Sequence, residues 1–230
     1  MRYLALATDY DGTLTSTGRV SAPVEEALER LRRSGRKTFL VTGRRLDDLQ
    51  EICGCMDSFD CVVAENGGLL YEPATRETTL LADPASEELA FALRSLGVPL
   101  DIGQTIIATC APYQTVAFDL IEELNLDLQV IFNREAVMIL PAGVNKASGL
   151  CHALHKLGLS SSQTVGIGDA ENDYAFLRIS GLAIAVANAI DSVRREAAHV
   201  TKGAAGQGVI ELIDALIATD LENLGSEPGA

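Results

Sequence analysis

Two aspartates near the start of the chain stand close enough together to share one chemical task. Asp9 and Asp11 in "ATDYDGTLT" are separated only by Tyr10, and the apolar run "YLALA" precedes them. Like charges at this spacing repel each other, and burying a carboxylate costs on the order of several kcal/mol. A neighbouring group must offset that cost if both side chains keep their charge.

Further polar side chains follow other apolar segments of the chain. In open parallel sheets, ligands bind beyond the carboxyl ends of the strands, where the strand order reverses. Side chains at those ends are therefore expected to meet in one cleft. They are Thr42, Gly43 and Arg44 after "KTFLV", Glu65 and Asn66 after "CVVA", Asp169, Asn172 and Asp173 after "TVGIG", and Lys146 at the start of a helix.

These residue types suit phosphoryl chemistry supported by a metal ion. Four aspartates in one cleft, Asp9, Asp11, Asp169 and Asp173, need a cation, and Mg²⁺ is the usual ion where carboxylates meet a phosphate. A threonine hydroxyl, backbone N–H groups and a lysine can bind the phosphate oxygens. One carboxylate near phosphorus can act as a nucleophile, and a second can carry protons.

Alternating strands and helices must position these side chains in the first and last parts of the chain. Apolar runs of strand length alternate with amphipathic segments, which implies a parallel sheet with right-handed crossovers. The predicted strands span 2–9, 37–43, 60–68, 163–169 and 182–188. The predicted helices span 21–35, 44–53, 146–158, 170–180, 191–198 and 208–221.

The middle of the chain has a different pattern. Two predicted helices alternate with three predicted strands, and the last two strands, 128–132 and 136–140, join directly across "NRE". This join predicts an antiparallel hairpin. The predicted fold class is therefore α/β, with a Rossmann-like parallel-sheet core at 1–72 and 141–230 and a small α+β domain inserted at 73–140.

Composition and charge narrow the classes of partner. The 230 residues carry a net charge of −14 at pH 7, which argues against nucleic acid and anionic membrane surfaces as partners. No apolar run approaches the roughly 20 residues that span a membrane. The five scattered cysteines favour a reducing cytoplasm over a disulfide framework. The pair Cys53 and Cys55 lacks a second pair at metal-binding spacing and is interpreted as ordinary thiols.

Four segments resemble, in order and spacing, the four motifs of the haloacid dehalogenase superfamily. They are "DYDGTLT", "VTGR", the lysine of "GVNKASGL", and "GIGDAENDYAFL". The insert that follows "ENGGLLY" resembles the cap domain of the type IIB group. Within that group the chain is similar to archaeal-type phosphoglycolate phosphatases and to sugar-phosphate phosphatases. The resemblance implies a phosphoric monoester hydrolase with the inserted domain as its cap.

The resemblance also implies a role for each acidic residue. Asp9 matches the nucleophile that forms an aspartyl-phosphate, and Asp11 matches the general acid and base. Asp169 and Asp173 match a metal-binding pair. Together with Asp9 and the backbone carbonyl of Asp11, this pair would hold Mg²⁺.

A second set of residues is expected to bind the substrate. The Thr42 hydroxyl and the Lys146 ammonium would bind the phosphoryl group, and Arg134 in the predicted hairpin would reach a carboxylate or hydroxyl of the leaving group. The insert has only three basic residues against ten acidic ones, so it does not suit nucleotides or bisphosphates. The expected substrate-binding residues are Thr42, Gly43, Arg44, Lys146, Asn172, Asn188 and Arg134.

The expected function is Mg²⁺-dependent hydrolysis of a small phosphorylated metabolite, and three alternatives stay open. A phosphomutase of similar fold would move a phosphoryl group between two positions of a sugar. A phospho-accepting receiver domain also surrounds Mg²⁺ with acidic residues, but its phosphoryl site lies on the third strand, which ends here in Glu65. The chain could also be a phosphatase-like module of a larger protein, with "GSEPGA" as a linker.

Overall fold

The computed structural model of the protein describes residues 1–222, so the "GSEPGA" stretch lies outside the described residues. Its strands are β1 (Ala5–Thr8), β2 (Lys37–Val41), β3 (Cys61–Ala64), β4 (Leu69–Glu72), β5 (Glu77–Leu80), β6 (Asp101–Ile102), β7 (Ile107–Cys110), β8 (Leu128–Asn133), β9 (Ala136–Pro141), β10 (Thr164–Gly168), β11 (Leu182–Ala185) and β12 (His199–Val200). Its helices are α1 (Ala22–Arg33), α2 (Leu46–Ile52), α3 (Glu87–Ser95), α4 (Gln114–Glu123), α5 (Lys146–Lys156), α6 (Tyr174–Ile179), α7 (Asp191–Glu196) and α8 (Gly206–Thr219).

A large sheet carries the first and last parts of the chain in the order β12-β11-β10-β1-β2-β3-β4-β5. The strands from β12 to β3 are parallel, and β4 and β5 extend the sheet as antiparallel strands. Strand β1 lies between β2 and β10, so the order reverses beside it. The crevice beyond the carboxyl end of β1 is therefore the expected ligand site of the sheet. The predicted α/β fold class is confirmed.

The central strands are apolar because helices cover both faces of the sheet. Every residue of β1, β3 and β10 is buried, as expected for the interior of a parallel sheet. Helix α1 begins with a proline in its first turn and buries Val24, Leu28 and Leu31. These helices and strands form one core that holds the carboxyl ends of β1, β2 and β10 in fixed register.

A second, antiparallel sheet has the order β6-β7-β9-β8. The predicted hairpin across "NRE" is confirmed, because β8 and β9 pair directly. Alternate residues of β9 face opposite ways: Ile139 packs in a cluster with Leu89 and Leu93 of α3. Met138 and Leu140 form a separate cluster with Ile106. The sheet thus has one face covered by helices and one face free to approach the core.

The boundary between the two sheets lies later than the sequence suggested. Strand β5 pairs with β4 in the large sheet, although residues 73–80 were assigned to the insert. All four residues of β5 are exposed, so the strand lacks the apolar pattern that would mark it. We propose that the inserted domain begins after Leu80 and continues to about the end of β9.

One buried carboxylate ties the second sheet to the core. Glu65 follows β3, and its side chain accepts hydrogen bonds from the backbone N–H groups of Gln104 and Thr105 and from the Thr105 hydroxyl, at 3.1, 2.7 and 2.9 Å. These hydrogen bonds hold the segment that leads into β7 against the end of β3. Within residues 1–222, no helix combines the length and apolar character that crossing a membrane requires.

Candidate active site

A buried lysine joins two of the aspartates that the sequence singled out. Lys146 is the first residue of α5, and its Nζ donates to Asp9 Oδ1 at 2.5 Å and to Asp173 Oδ1 at 2.6 Å. Asn145 and Ser148 form a reciprocal capping box that fixes the start of this helix. The cap places the lysine ammonium at the end of β1, where it neutralises part of the carboxylate charge.

Asp169 and Asp173 lie beside this lysine. The Oδ2 atom of Asp173 accepts from the backbone N–H groups of Asp169 at 2.7 Å and Ala170 at 3.1 Å. Asp169 accepts a hydrogen bond from the Thr13 hydroxyl at 2.9 Å. One carboxylate oxygen from each of Asp9, Asp169 and Asp173 lies within 4.8 Å of the others. The structure therefore brings together the three side chains that were predicted to bind the metal, while Asp11 was expected to contribute its backbone carbonyl.

Burial shifts the pKa values of two aspartates of this cluster, Asp9 and Asp169, upward. Burial and the charge of Asp173 raise the pKa of Asp9 well above its ordinary value, while Lys146 opposes the shift. Burial also raises the pKa of Asp169. Although burial disfavours the ammonium, Asp173 and Asp9 raise the pKa of Lys146. One lysine does not neutralise three buried carboxylates, and an all-oxygen donor set of this kind fits a hard divalent cation.

Asp11 is held apart from the cluster by an arginine. Arg44 donates from Nε to Asp11 Oδ2 at 2.6 Å and from Nη2 to Asp11 Oδ1 at 2.7 Å. The guanidinium also lies over the Tyr10 ring, 5.6 Å from its centroid. Arg44, expected to bind substrate, thus contacts the predicted general acid in this structure.

These residues line a cavity of about 230 Å³ between the two sheets. Thr42 is buried, and its hydroxyl accepts from the Arg44 backbone N–H at 3.1 Å. From the core, the lining residues are Asp9, Asp11, Thr42, Gly43, Arg44, Arg45 and Asp48. From the second sheet and its approach, they are Asp101, Ile106, Ala108, Asn133, Ala136 and Met138.

Arg134 reaches the aspartate cluster. Its Nη2 donates to Asp169 Oδ2 at 2.6 Å, and its backbone N–H donates to Glu171 Oε2 at 3.1 Å. The tip of the β8–β9 hairpin is therefore docked on the core. The sequence prediction assigned this arginine to a substrate carboxylate or hydroxyl, and in this structure an aspartate carboxylate takes that place.

Two predicted asparagines hold loops instead of lining the cavity. Asn172 donates to Asn66 Oδ1 at 3.0 Å. Asn188 donates to the carbonyl of Gly12 at 2.8 Å, and its Oδ1 accepts from the Ala205 N–H at 2.7 Å. Asn188 thereby supports the loop that follows Asp11.

Gly12 is the residue of that loop with the least room. Its φ is +82°, in the left-handed region, and a Cβ placed on it would lie 2.4 Å from Asp169 Oδ2. A side chain at this position would push into the carboxylate of Asp169, which belongs to the predicted metal-binding pair. The close approach of backbone to carboxylate therefore requires glycine.

The sequence reasoning missed the lining that the second sheet provides. Asn133 is the most informative of these residues, since its Oδ1 is buried without a hydrogen-bond partner. Arg45 was also missed, and it forms ion pairs with Asp48 at 2.7 Å and Asp101 at 3.1 Å. The alternation in "AVMIL" could have predicted that Ala136 and Met138 share one face of the strand. It could not have predicted which face of the strand lies towards the core.

Comparison with known proteins places this arrangement in a family. The family model described as haloacid dehalogenase-like hydrolase matches residues 6–96 and 105–213. A phosphoglycolate phosphatase of Methanothermobacter thermautotrophicus is 31% identical over 215 residues, which cover 91% of this chain and 96% of that protein. One of Archaeoglobus fulgidus is 31% identical over 221 residues, covering 92% and 96%.

Solved structures agree on the fold. A haloacid dehalogenase-like hydrolase of Bacteroides thetaiotaomicron aligns with a TM-score of 0.77 and 19% identity over 93% of this chain and 99% of that one. A sugar phosphatase of subclass IIB aligns with a TM-score of 0.74 and 20% identity over 92% and 98%. The family model matches most of the chain, and this chain belongs to the haloacid dehalogenase-like hydrolase family.

Proposed function

We propose that this protein is a Mg²⁺-dependent phosphatase that hydrolyses a small phosphorylated metabolite through an aspartyl-phosphate on Asp9. The observation that carries the proposal is the position of Asp9. It follows the central strand β1, lines the cavity, and is bound by the buried ammonium of Lys146. A carboxylate in this setting can face a phosphorus atom while its charge is balanced by neighbouring cations.

The reaction would proceed in two steps: the phosphoryl group moves first to Asp9 and then to water. A carboxylate oxygen of Asp9 attacks phosphorus, the bond to the leaving oxygen breaks, and Asp11 donates a proton to that oxygen. Asp11 then accepts a proton from a water molecule that attacks the phosphorus, and the bond from phosphorus to Asp9 breaks. Before the first transfer Asp11 leaves Arg44 and takes a proton from solvent, which makes it a donor and frees the guanidinium to bind phosphate oxygens.

The metal-binding groups would be the carboxylates of Asp9, Asp169 and Asp173 together with the backbone carbonyl of Asp11. Bound Mg²⁺ would supply charge neutralisation for the phosphoryl oxygens and for the crowded carboxylates. Lys146 and the Thr42 hydroxyl would hold the remaining phosphate oxygens.

The cavity supports a small substrate. Its volume of about 230 Å³ lies below the ~300–1,000 Å³ typical of drug-sized ligands. The second sheet contributes four short or apolar side chains to its lining, together with Asn133 and with Asp101, which is paired with Arg45. The relatives named phosphoglycolate phosphatase and the sugar phosphatase with the same fold make phosphoglycolate and small sugar phosphates the first candidates.

We also propose a cytoplasmic location and no nucleic-acid partner. All five cysteines are free thiols, which suits a reducing compartment. The net charge of −14 opposes binding to nucleic acid.

The test is phosphate release from a panel of phosphorylated metabolites, with Mg²⁺ and with a chelator. We expect inorganic phosphate from at least one member only when Mg²⁺ is present. Asp9→Asn should lower kcat at least about a thousandfold, because the nucleophile is lost. Asp119→Asn, an exposed aspartate of α4, is the matched control and should keep wild-type activity. Turnover that survives Asp9→Asn contradicts the mechanism, and an isomeric phosphate ester as product favours a phosphomutase.

A further inference from the structure

Two buried thiols face each other behind the active-site loop. Cys53 and Cys55 expose only 4% and 6% of their surface, and their Sγ atoms lie 3.6 Å apart. They flank Gly54 just after the end of α2, on the core and away from the cavity lining. The sequence interpretation treated this pair as ordinary thiols, and the observed sulfur–sulfur contact calls for a second explanation.

The thiol pair lies in the same buried cluster as the residue between Asp9 and Asp11. That residue is Tyr10, which belongs with Cys53 and Cys55 to the large core. The Tyr10 hydroxyl donates to the Gly18 carbonyl at 3.0 Å, which closes the loop that follows Asp11. The Tyr10 ring in turn lies under Arg44, the partner of Asp11. A change in packing at Cys53 and Cys55 would therefore reach the loop and the arginine through Tyr10.

We propose that Cys53 and Cys55 are a redox-sensitive pair that a hydroperoxide closes to a disulfide, and that closure loosens the Tyr10–Gly18 loop and lowers the activity of the adjacent site. A disulfide needs the sulfurs to approach by about 1.5 Å, since the S–S bond is about 2.05 Å long. Gly54 is exposed and has only one atom near its Cβ position, Glu25 Oε1 at 3.9 Å. The connecting residue therefore gives the two cysteines room to turn towards each other.

The oxidation balances with hydrogen peroxide as the oxidant. The sulfur of Cys53 attacks one peroxide oxygen, the O–O bond breaks, and a sulfenic acid and one water form. The sulfur of Cys55 then attacks that of Cys53, the S–O bond breaks, and a second water leaves. Two thiols lose two electrons and two protons, and one peroxide becomes two waters. Small thiols restore the pair by disulfide exchange.

The two thiols differ in pKa, and the proposed steps require such a difference between the attacking and the resolving cysteine. The hydrogen bond from Cys55 lowers the pKa of the Cys53 thiol, which makes Cys53 the attacking sulfur. The same contact and burial raise the pKa of Cys55. A metal site explains the Cys53–Cys55 contact less well, because among residues 1–222 no third His, Cys, Asp or Glu joins the two thiols at ligand spacing.

Mass spectrometry tests disulfide formation without reference to the proposed function. The reduced protein is treated with hydrogen peroxide, blocked with an alkylating reagent, and digested with trypsin, which gives a peptide spanning 46–76 with Cys53, Cys55 and Cys61. We expect this peptide to lack two hydrogens and to carry one label, on Cys61. Labels on all three cysteines, under conditions that already oxidise the exposed Cys110 and Cys151, overturn the proposal.

Hydrogen exchange and activity test the link to the active site. In the oxidised wild type we expect the amides of residues 10–18 to exchange at least about threefold faster than in the reduced protein, because closure moves two side chains of the cluster that contains Tyr10. Hydrolysis should fall by a similar factor and recover with a thiol reductant. Cys55→Ala should show neither response, whereas Cys151→Ala, the control, should show both. A disulfide that leaves exchange and activity unchanged overturns the link, and this outcome is distinct from an enzyme with no phosphatase activity.

Discussion

The guanidinium of Arg44 holds the carboxylate of Asp11 through two parallel hydrogen bonds, of 2.6 and 2.7 Å. A carboxylate held in this way is an acceptor and has no proton to give. In the proposed reaction Asp11 would therefore have to leave Arg44 and take up a proton, and an incoming phosphate is a suitable new partner for the arginine. The ion pair keeps both groups oriented at the mouth of the cavity until that exchange occurs.

Replacing Arg44 tests this exchange. Arg44→Met should lower kcat/KM by about 10- to 100-fold, because Asp11 loses its orientation and the phosphate loses a bidentate donor. Arg44→Lys should fall between this variant and the wild type, since it keeps the charge but not the planar fork. Steady-state hydrolysis measures both, with Arg178→Met as the control because Arg178 pairs with Glu196 at an exposed site. Wild-type kinetics in Arg44→Met would falsify the assignment.

A comparison of two glycines, Gly12 and Gly18, distinguishes the effect of backbone strain from that of crowding the Asp169 carboxylate, which is predicted to bind the metal. Gly12 and Gly18 have φ values of +82° and +84°, but only at Gly12 would a Cβ meet another group, Asp169 Oδ2 at 2.4 Å. Alanine at either position should cost about 1 kcal/mol of stability, measured by urea unfolding. Gly12→Ala should also weaken the apparent affinity for Mg²⁺ by about 10-fold or more, measured by titrating activity. Equal Mg²⁺ affinities in the two variants contradict the role of Gly12.

The pH dependence of stability reports the charge of Asp9. Its pKa is raised well above 3.8 by burial and by Asp173, so the folded protein binds this proton more tightly than the unfolded chain does. That contribution is complete below the unfolded pKa and is lost as the pH rises through the folded pKa. In metal-free buffer, the free energy of unfolding of the wild type should therefore fall relative to that of Asp9→Asn as the pH rises above 3.8.

Urea denaturation over a pH series measures this difference, with and without Mg²⁺. The ion should abolish the relative fall, because it stabilises the ionised carboxylates of the folded state. If plots of the free energy of unfolding against pH stay parallel for the wild type and Asp9→Asn in metal-free buffer, the explanation based on Asp9 is wrong.

Arg134 pairs with Asp169 and would compete with a bound cation for this carboxylate. The pair is 2.6 Å apart, with the arginine side chain about half exposed and the aspartate fully buried. Arg134→Gln should raise the apparent Mg²⁺ affinity by about threefold to tenfold, since the carboxylate is released, and should change the free energy of unfolding by less than about 1 kcal/mol. Titration of activity with Mg²⁺ measures the affinity, and Arg94→Gln is the control from α3. A lower Mg²⁺ affinity in Arg134→Gln means that the arginine supports the site instead.

Convergence of the strand ends was the part that the sequence could predict. Asp9 and Asp169 meet because the parallel strands β1 and β10 bring their carboxyl ends to one edge, and helix α5 begins with Lys146 at that same edge. The resemblance to the haloacid dehalogenase superfamily is confirmed by the family match over most of the chain. The catalytic and binding roles of individual residues stay predictions.

Contacts between the two sheets could not be predicted in the same way. The pair Arg134–Asp169 depends on how the second sheet sits on the core. The pair Arg44–Asp11 lies within the core and depends on side-chain rotamers, and neither feature has a periodic signal in the sequence. The position of Asn133 in the cavity lining also depends on how the second sheet sits on the core. Strand β5 was missed because an exposed edge strand shows no apolar alternation.

The pairing of β1 with β10 has a consequence for the order in which the molecule is made. Ala5 lies opposite Thr164, so the strand that carries Asp9 leaves the ribosome long before its neighbour exists. The second sheet, by contrast, consists of strands that follow one another within 101–141. A cap domain of this kind can fold during synthesis while the nucleophile strand still lacks one partner. The growing chain therefore has no complete catalytic centre until its last third has been translated.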